Sequence, residues 1–246
     1  MRNDLKNSQT ILVSFSGIDG AGKSTQIANL LDRMQEAGLV VQLITFWDDV
    51  ARLKRIREDV GHKVFGGDKG IGTPEAPILR RDKNVRSPLV TMFRLAIYIF
   101  DAFALRKIAK KALRSEVDVV IFDRYIYDEL VNLNLGKAAL RLYLRGIMKL
   151  VPRPAISFLL DADPAQARAR KPEYPLDFLY SNRNSYLELH RLLGGITVIP
   201  PMSIDYATAE VVRCAFRGVY ASRSTSIGPD KTGGEESCSI NGRLDG

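Results

Sequence analysis

Residues 17–24 read Gly17-Ile18-Asp19-Gly20-Ala21-Gly22-Lys23-Ser24 and satisfy the spacing G-x-x-x-x-G-K-[ST] at every fixed position. The residue types explain the spacing. Glycines permit a tight wrap in which successive backbone N–H groups point inward at anionic oxygens. The helix expected next turns its N-terminal N–H groups and positive dipole end to the same anion. Against a nucleoside triphosphate, Lys23 reaches the β- and γ-phosphates and Ser24 offers a hydroxyl to Mg²⁺. A glycine-rich turn can match such a pattern by accident, but here both flanks agree with it. The apolar run Ile11-Leu12-Val13-Ser14-Phe15 precedes it, and Ile27, Leu30, Leu31 and Met34 follow on one face of a helix.

A triphosphate site also needs an acid for the metal. Val119-Val120-Ile121-Phe122-Asp123 is an apolar strand ending in a carboxylate, the Walker-B arrangement. Ligands of open α/β sheets gather beyond the carboxyl ends of the strands, which puts Asp123 on the edge of Ser24. Taken alone, a strand-end Asp more often caps the next helix. Arg124 follows at once and would project toward phosphates, where a guanidinium spans two oxygens.

The elements that must position these groups alternate after residue 10. Strands are expected at 11–15, 40–46, 117–122, 155–160 and 196–199, each apolar without clean alternation, as for strands covered on both faces. Helical patterns fall at 24–38, 89–114, 125–150, 164–171, 176–193 and 205–220. This alternation predicts an α/β fold, a parallel sheet with crossover helices. Residues 1–221 form one domain in this reading. The stretch 48–88, with several glycines and prolines, is too long for an ordinary connection and reads as a substrate-covering insertion. Residues 222–246 lack periodicity and large apolar side chains and read as a disordered tail.

Composition excludes several classes. The net charge of +8 invites a nucleic-acid partner, but the cations are interleaved with acids and no recognition motif accompanies them. Holding a polyanionic nucleotide accounts for positive charge equally well. The longest apolar stretch, 88–105, contains Arg94 and Asp101 and reads as a buried helix, not a membrane span. The N-terminal residues show no apolar signal region. Two cysteines, Cys214 and Cys238, in dissimilar settings argue against a disulfide framework and fit a cytoplasmic location.

Phe15 through Thr25, with Asp123-Arg124-Tyr125 at a strand end, resembles the thymidylate kinase family. The resemblance continues through Phe158-Leu159-Leu160-Asp161-Ala162-Asp163-Pro164 and Leu176-Asp177-Phe178 to Tyr186-Leu187-Glu188-Leu189, and covers roughly residues 10–215. It implies a P-loop NTPase of the nucleoside-monophosphate-kinase type, with a doubly wound sheet of strand order 2-3-1-4-5. It further implies ATP and Mg²⁺, a mobile lid and a small phosphate acceptor, dTMP being the family's. Gly17, Gly20, Ala21, Gly22, Lys23, Ser24 and Thr25 would hold the nucleotide, and Ser24 and Asp123 the metal. Asp19 would face the substrates, Arg124 would meet the acceptor phosphate, and Arg168 and Arg170 would close as lid arginines. Those two also read as an ordinary solvated helix end. The long central helices would supply a homodimer face, although they read equally well as core.

The chain departs from the family's pattern on the acceptor side. Thr45-Phe46-Trp47-Asp48-Asp49 stands where the family has Thr-Arg-Glu-Pro, and Ala102, beside Asp101, stands at the base-reading arginine. Asp128 replaces a serine, Val131-Asn132-Leu133 replaces Ala-Tyr-Gln, and the lid after Lys171 is shortened. An Asp at 48 or 49 could orient an acceptor hydroxyl or simply cap a helix near residue 50. Arg80, Arg81, Lys83 and Arg86 could bind an anionic acceptor or face solvent. His62 and His190 are isolated and are not expected to be catalytic. Two alternatives stand beside the thymidylate-kinase reading: a kinase of the same fold acting on a sugar or other small molecule, and a nucleotide-binding interaction module with weak hydrolysis.

Overall fold

The computed structural model describes residues 10–50 and 88–225. Five strands, β1 (Ile11–Ser16), β2 (Val41–Thr45), β3 (Val119–Asp123), β4 (Ile156–Leu160) and β5 (Ile196–Ile199), form one sheet in the order β2-β3-β1-β4-β5. Every pairing is parallel. The helices are α1 (Lys23–Glu36), α2 (Pro88–Ala112), α3 (Tyr127–Leu130), α4 (Ala138–Leu150), α5 (Pro164–Arg170), α6 (Leu176–Leu193) and α7 (Ile204–Thr225). A π-helical turn, Phe46–Val50, follows β2. The five expected strands and their order are all present.

Two-residue alternation along the strands sorts the core into two layers. Ile11, Val13 and Phe15 of β1, with Val119, Ile121, Phe158 and Leu160, pack with Ile27, Leu30 and Met34 of α1 and Val211, Ala215 and Val219 of α7. The intervening Leu12, Val120, Phe122 and Leu159 pack with residues of α2, α4 and α6 on the opposite face. Helices thus cover both faces, as a doubly wound sheet requires. Complete coverage holds for β1, whose six residues are all buried. It does not hold for β2, an edge strand that exposes Gln42 and Leu43.

Two expectations change. The single helix expected at 125–150 is broken into α3 and α4. Asn132 Nδ2 donates to the carbonyls of Asp128 and Glu129 at 3.1 and 3.2 Å, and Asn134 Oδ1 accepts from the Gly136 N–H at 3.2 Å. Such side-chain bonds compete with the helical ladder and end it. The last helix runs on to Thr225, so residues 222–225 belong to α7, and the rest of the tail expected at 222–246 lies outside the described residues. Cys214 is buried on α7, and Cys238 lies outside the described residues. The insertion expected at 48–88 falls outside the described residues from 51 to 87, together with His62 and the cluster Arg80 to Arg86. Among the described residues no helix is long and apolar enough to cross a membrane.

Candidate active site

β1 ends at Ser16, and the chain turns through the glycine loop into α1. Gly17, Gly20 and Gly22 all have positive φ, at 142°, 82° and 89°. Two of them also admit no side chain. A Cβ on Gly17 would lie 2.5 Å from the Leu160 carbonyl oxygen, and one on Gly20 would lie 2.2 Å from that of Ala167. The loop is therefore pressed against the end of β4 and against α5. Gly22 opens α1 with no side-chain cap, and no acid lies in the first turn. The helix N-terminus keeps its N–H groups and its positive end for an anion. Ser24 and Thr25 stand exposed in that turn, and Ala21 and Gly22 are half-buried beside them.

Lys23 is buried, and its Nζ donates to the carbonyls of Gly17 and Ile18, both at 2.8 Å. Burial, reinforced by the nearby Arg124 charge, lowers its pKa to about 8, although Asp19, Asp128 and Asp123 pull the other way. The lysine is a stored cation beneath the loop. An arriving phosphate would supply the charge that burial denies it.

β3 brings Asp123 to the same edge, where Phe15 of β1 is its register partner. Its carboxyl is half-buried, and desolvation raises its pKa, opposed by Arg124 and Lys23. One carboxylate and one hydroxyl make a set of hard oxygen donors suited to Mg²⁺, which keeps several waters and takes the rest of its ligands from nucleotide phosphates. Among the described residues no group of three or more His, Cys, Asp or Glu could hold a metal ion.

Arg124 has φ 70°, the one positive value outside glycine among the described residues. Its N–H is bonded to the Phe15 carbonyl at 3.0 Å, which ties this unusual backbone to β1. The guanidinium pairs with Asp19 through Nη2 and with Asp128 Oδ1 through Nη1 at 3.1 Å. Burial works against the charged form, but Asp128 and Asp19 outweigh it and raise the pKa above the usual range. Arg124 is a permanent cation held between two carboxylates.

Of the expected lid residues, Arg170 is brought to the loop: its Nη1 is 4.0 Å from where a Gly22 Cβ would stand. Arg168 is half-buried, and its Nε is buried without a hydrogen-bond partner. Asp163 caps α5 by accepting from the Gln166 N–H at 2.9 Å, with Pro164 starting the helix. Asp49 accepts from the Thr45 N–H at 2.7 Å, so it closes the turn after β2 on itself. Ala102 is fully buried on α2. His190 lies on the last turn of α6, and its buried Nδ1 has no hydrogen-bond partner.

Sequence reasoning missed two partners. Tyr186 of α6 donates to Asp128 Oδ1 at 2.8 Å. Its spacing with Leu179 and Leu189 marks a core face, which conceals the role of its hydroxyl. Arg183 grips Asp161, just past β4, with Nε–Oδ1 and Nη2–Oδ2 distances of 2.5 and 2.7 Å. No local signal joins two residues that far apart in sequence.

No family model matches the chain. It is 26% identical over 186 residues to a probable thymidylate kinase of Archaeoglobus fulgidus, spanning 72% of this chain and 81% of that protein. A thymidylate kinase of Chlorobaculum parvum is 29% identical over 169 residues, 65% of each chain. In fold it is similar to the thymidylate kinase of Ehrlichia chaffeensis, with a TM-score of 0.56 and 19% identity over 85% of this chain and 99% of that one. The thymidylate kinase of Candida albicans gives 0.55 and 15% over 86% and 94%. Sequence and fold agree with the resemblance read from the phosphate loop and the Asp-Arg-Tyr strand end: the chain has the P-loop NTPase fold and is similar in sequence to proteins named as thymidylate kinases.

Proposed function

We propose that the chain is an ATP- and Mg²⁺-dependent kinase that phosphorylates a small acceptor, with dTMP to dTDP as the leading reaction. One observation carries the reading. An uncapped helix N-terminus sits behind a glycine loop with a buried lysine, and Asp123 and Arg124 stand at the adjoining strand end. The relatives named as thymidylate kinases support the acceptor class.

Phosphoryl transfer asks for positioning and charge neutralisation more than covalent chemistry. The loop N–H groups and Lys23 would hold the β- and γ-phosphates. Ser24 and Asp123 would hold Mg²⁺, which when bound offsets charge on the phosphate oxygens. Arg168 and Arg170 would cover the transferring group and exclude water. Arg124 would be the cation on the acceptor side, with Asp19 beside it. A phosphate-monoester acceptor is already ionised and needs no base; an alcohol would call on Asp19 or Asp48.

A second reading keeps the kinase and changes the acceptor to a sugar or other small molecule. The buried Ala102, at the position where the resemblance implies a base-reading arginine, favours it. A dimer belongs to the same proposal. Met92, Phe93, Ile99, Phe100 and Phe103 are exposed along one side of α2, a stripe that a second copy of the chain would cover. So does a cytoplasmic location, where ATP is supplied.

The test is ADP release with ATP and Mg²⁺ across dTMP, dUMP, other monophosphates and a panel of sugars. Turnover with dTMP supports the leading reading. Silence with every nucleotide and turnover with another acceptor supports the second. Nucleotide binding with no transfer at all would leave the interaction module.

A further inference from the structure

Asp128 is 3% exposed, yet its carboxylate is fully occupied. Oδ2 accepts from Ser16 Oγ at 2.6 Å and from the Tyr125 N–H at 3.2 Å. Oδ1 accepts from Arg124 Nη1 at 3.1 Å and from the Tyr186 hydroxyl at 2.8 Å. An ionised carboxylate has about four lone-pair sites, and four donors fill them. Nothing is left for a substrate, so Asp128 is neither a base nor a ligand.

Its partners sit at the junctions of the site. Ser16 ends β1 immediately before the phosphate loop, Arg124 follows the end of β3, and Tyr186 projects from α6. Arg124 needs such an anchor, because its long side chain leaves a left-handed backbone position and has many rotamers to lose. With Asp19 on Nη2 alone, the guanidinium could swing about that contact. Asp128 on Nη1 fixes its plane, and with it the directions of the remaining N–H groups.

We propose that Asp128 positions Arg124 for the acceptor, linking it to the phosphate loop through Ser16 and to α6 through Tyr186, while touching no substrate itself. The proposal rests on the kinase reading for what Arg124 meets, but not for how Arg124 is held. Asp128→Asn has the same shape, but its amide turns N–H groups toward one pair of donors. Tyr186→Phe removes one donor of the four and keeps the idea testable should Asp128→Asn fail to fold.

The experiment compares the full-length wild type with D128N, Y186F, R124A and the double variant R124A/D128N. Calorimetric binding of Mg·ATP checks folding and the loop, and each variant should still bind it, D128N with some loss because the Asp128 charge also supports Lys23. Nitrogen-15 NMR of the arginine guanidinium groups then reads Arg124 without any acceptor. The wild type should show separate, slowly exchanging Nη signals, absent in R124A and averaged in D128N. In turnover, D128N should raise the acceptor KM by about tenfold or more, well beyond any change in the ATP KM, and Y186F by about two- to threefold. Adding D128N to R124A should change nothing further, since both remove one function. Additive losses, or unaltered Arg124 signals in both D128N and Y186F, overturn the proposal. An altered Arg124 signature in a protein that phosphorylates no acceptor sinks the kinase reading and leaves the positioning role standing. Turnover that D128N and Y186F leave unchanged sinks the positioning role alone.

Discussion

The ammonium of Lys23 donates to the carbonyl of Gly17 at 2.8 Å, so the lysine that ends the phosphate loop is bound to the glycine that begins it. The loop is thereby held in its wrapped form before a ligand arrives. A cation is stored beneath it at a pKa lowered to about 8 by burial.

This storage predicts a proton coupling. Phosphate favours the charged lysine and raises its pKa, so ATP binding takes up a proton between the free-state value near 8 and the higher bound value. Below that window Lys23 is already charged and no uptake is expected. Calorimetry in buffers of different ionisation enthalpy, at pH 6.5 and at about pH 8.5, reads the difference. Equal proton counts at both would remove Lys23 from the phosphate site. Lys23→Ala should lower kcat/KM by about a thousandfold or more, because charge stabilisation is the main catalytic term.

Gly20 and Gly38 separate backbone strain from steric exclusion. Both have positive φ, 82° and 76°, but a Cβ on Gly20 meets the Ala167 carbonyl while one on Gly38 meets nothing within 4 Å. Gly38→Ala should cost about 1 kcal/mol from backbone strain alone. Gly20→Ala should cost more, by a further ~1–3 kcal/mol, and push α5 off the loop. Denaturant unfolding of the two variants gives the comparison; equal losses would mean that the contact with α5 is not tight in solution.

Asp123 should govern the response to the metal. Asp123→Asn keeps the shape and removes the charge, so the Mg²⁺ concentration for half-maximal activity should rise by about tenfold or more. A Mg²⁺ titration at saturating ATP decides it. An unchanged curve would return Asp123 to the ordinary role of a strand-end residue.

The apolar side of α2 should carry the dimer. Phe100 and Phe103 are each more than half exposed, at a spacing that keeps them on one face. The double variant Phe100→Lys/Phe103→Lys should weaken self-association by about a hundredfold, the scale of a lost interface anchor. Sedimentation velocity reads this directly. A wild type that sediments as a monomer at tens of micromolar would end the dimer proposal.

What the sequence determined by itself was local chemistry. The glycines, Lys23 and Ser24 announce a phosphate loop because a tight anion-binding turn tolerates few other residues at those positions. The five strands were legible because each is a short apolar run set between helical patterns. Asp123 was legible as the polar end of such a run. The break between α3 and α4 was not read, because two asparagines within an otherwise apolar helical pattern end the ladder through side-chain bonds that periodicity does not register.

Tertiary structure decided the pairings. Asp128 stood out in the sequence only as a departure on the acceptor side, and packing turned it toward Ser16, Arg124 and Tyr186. Ser14 and Ser157, 143 residues apart, share a hydrogen bond because β1 and β4 are neighbours. Arg170 lies near Gly22 because α5 abuts the loop at Gly20. Such contacts depend on strand order and on which face a side chain takes, and a one-residue shift of register would reverse the face. Residue types and short spacings record what a loop can bind; only the packed sheet decides which charges meet around it.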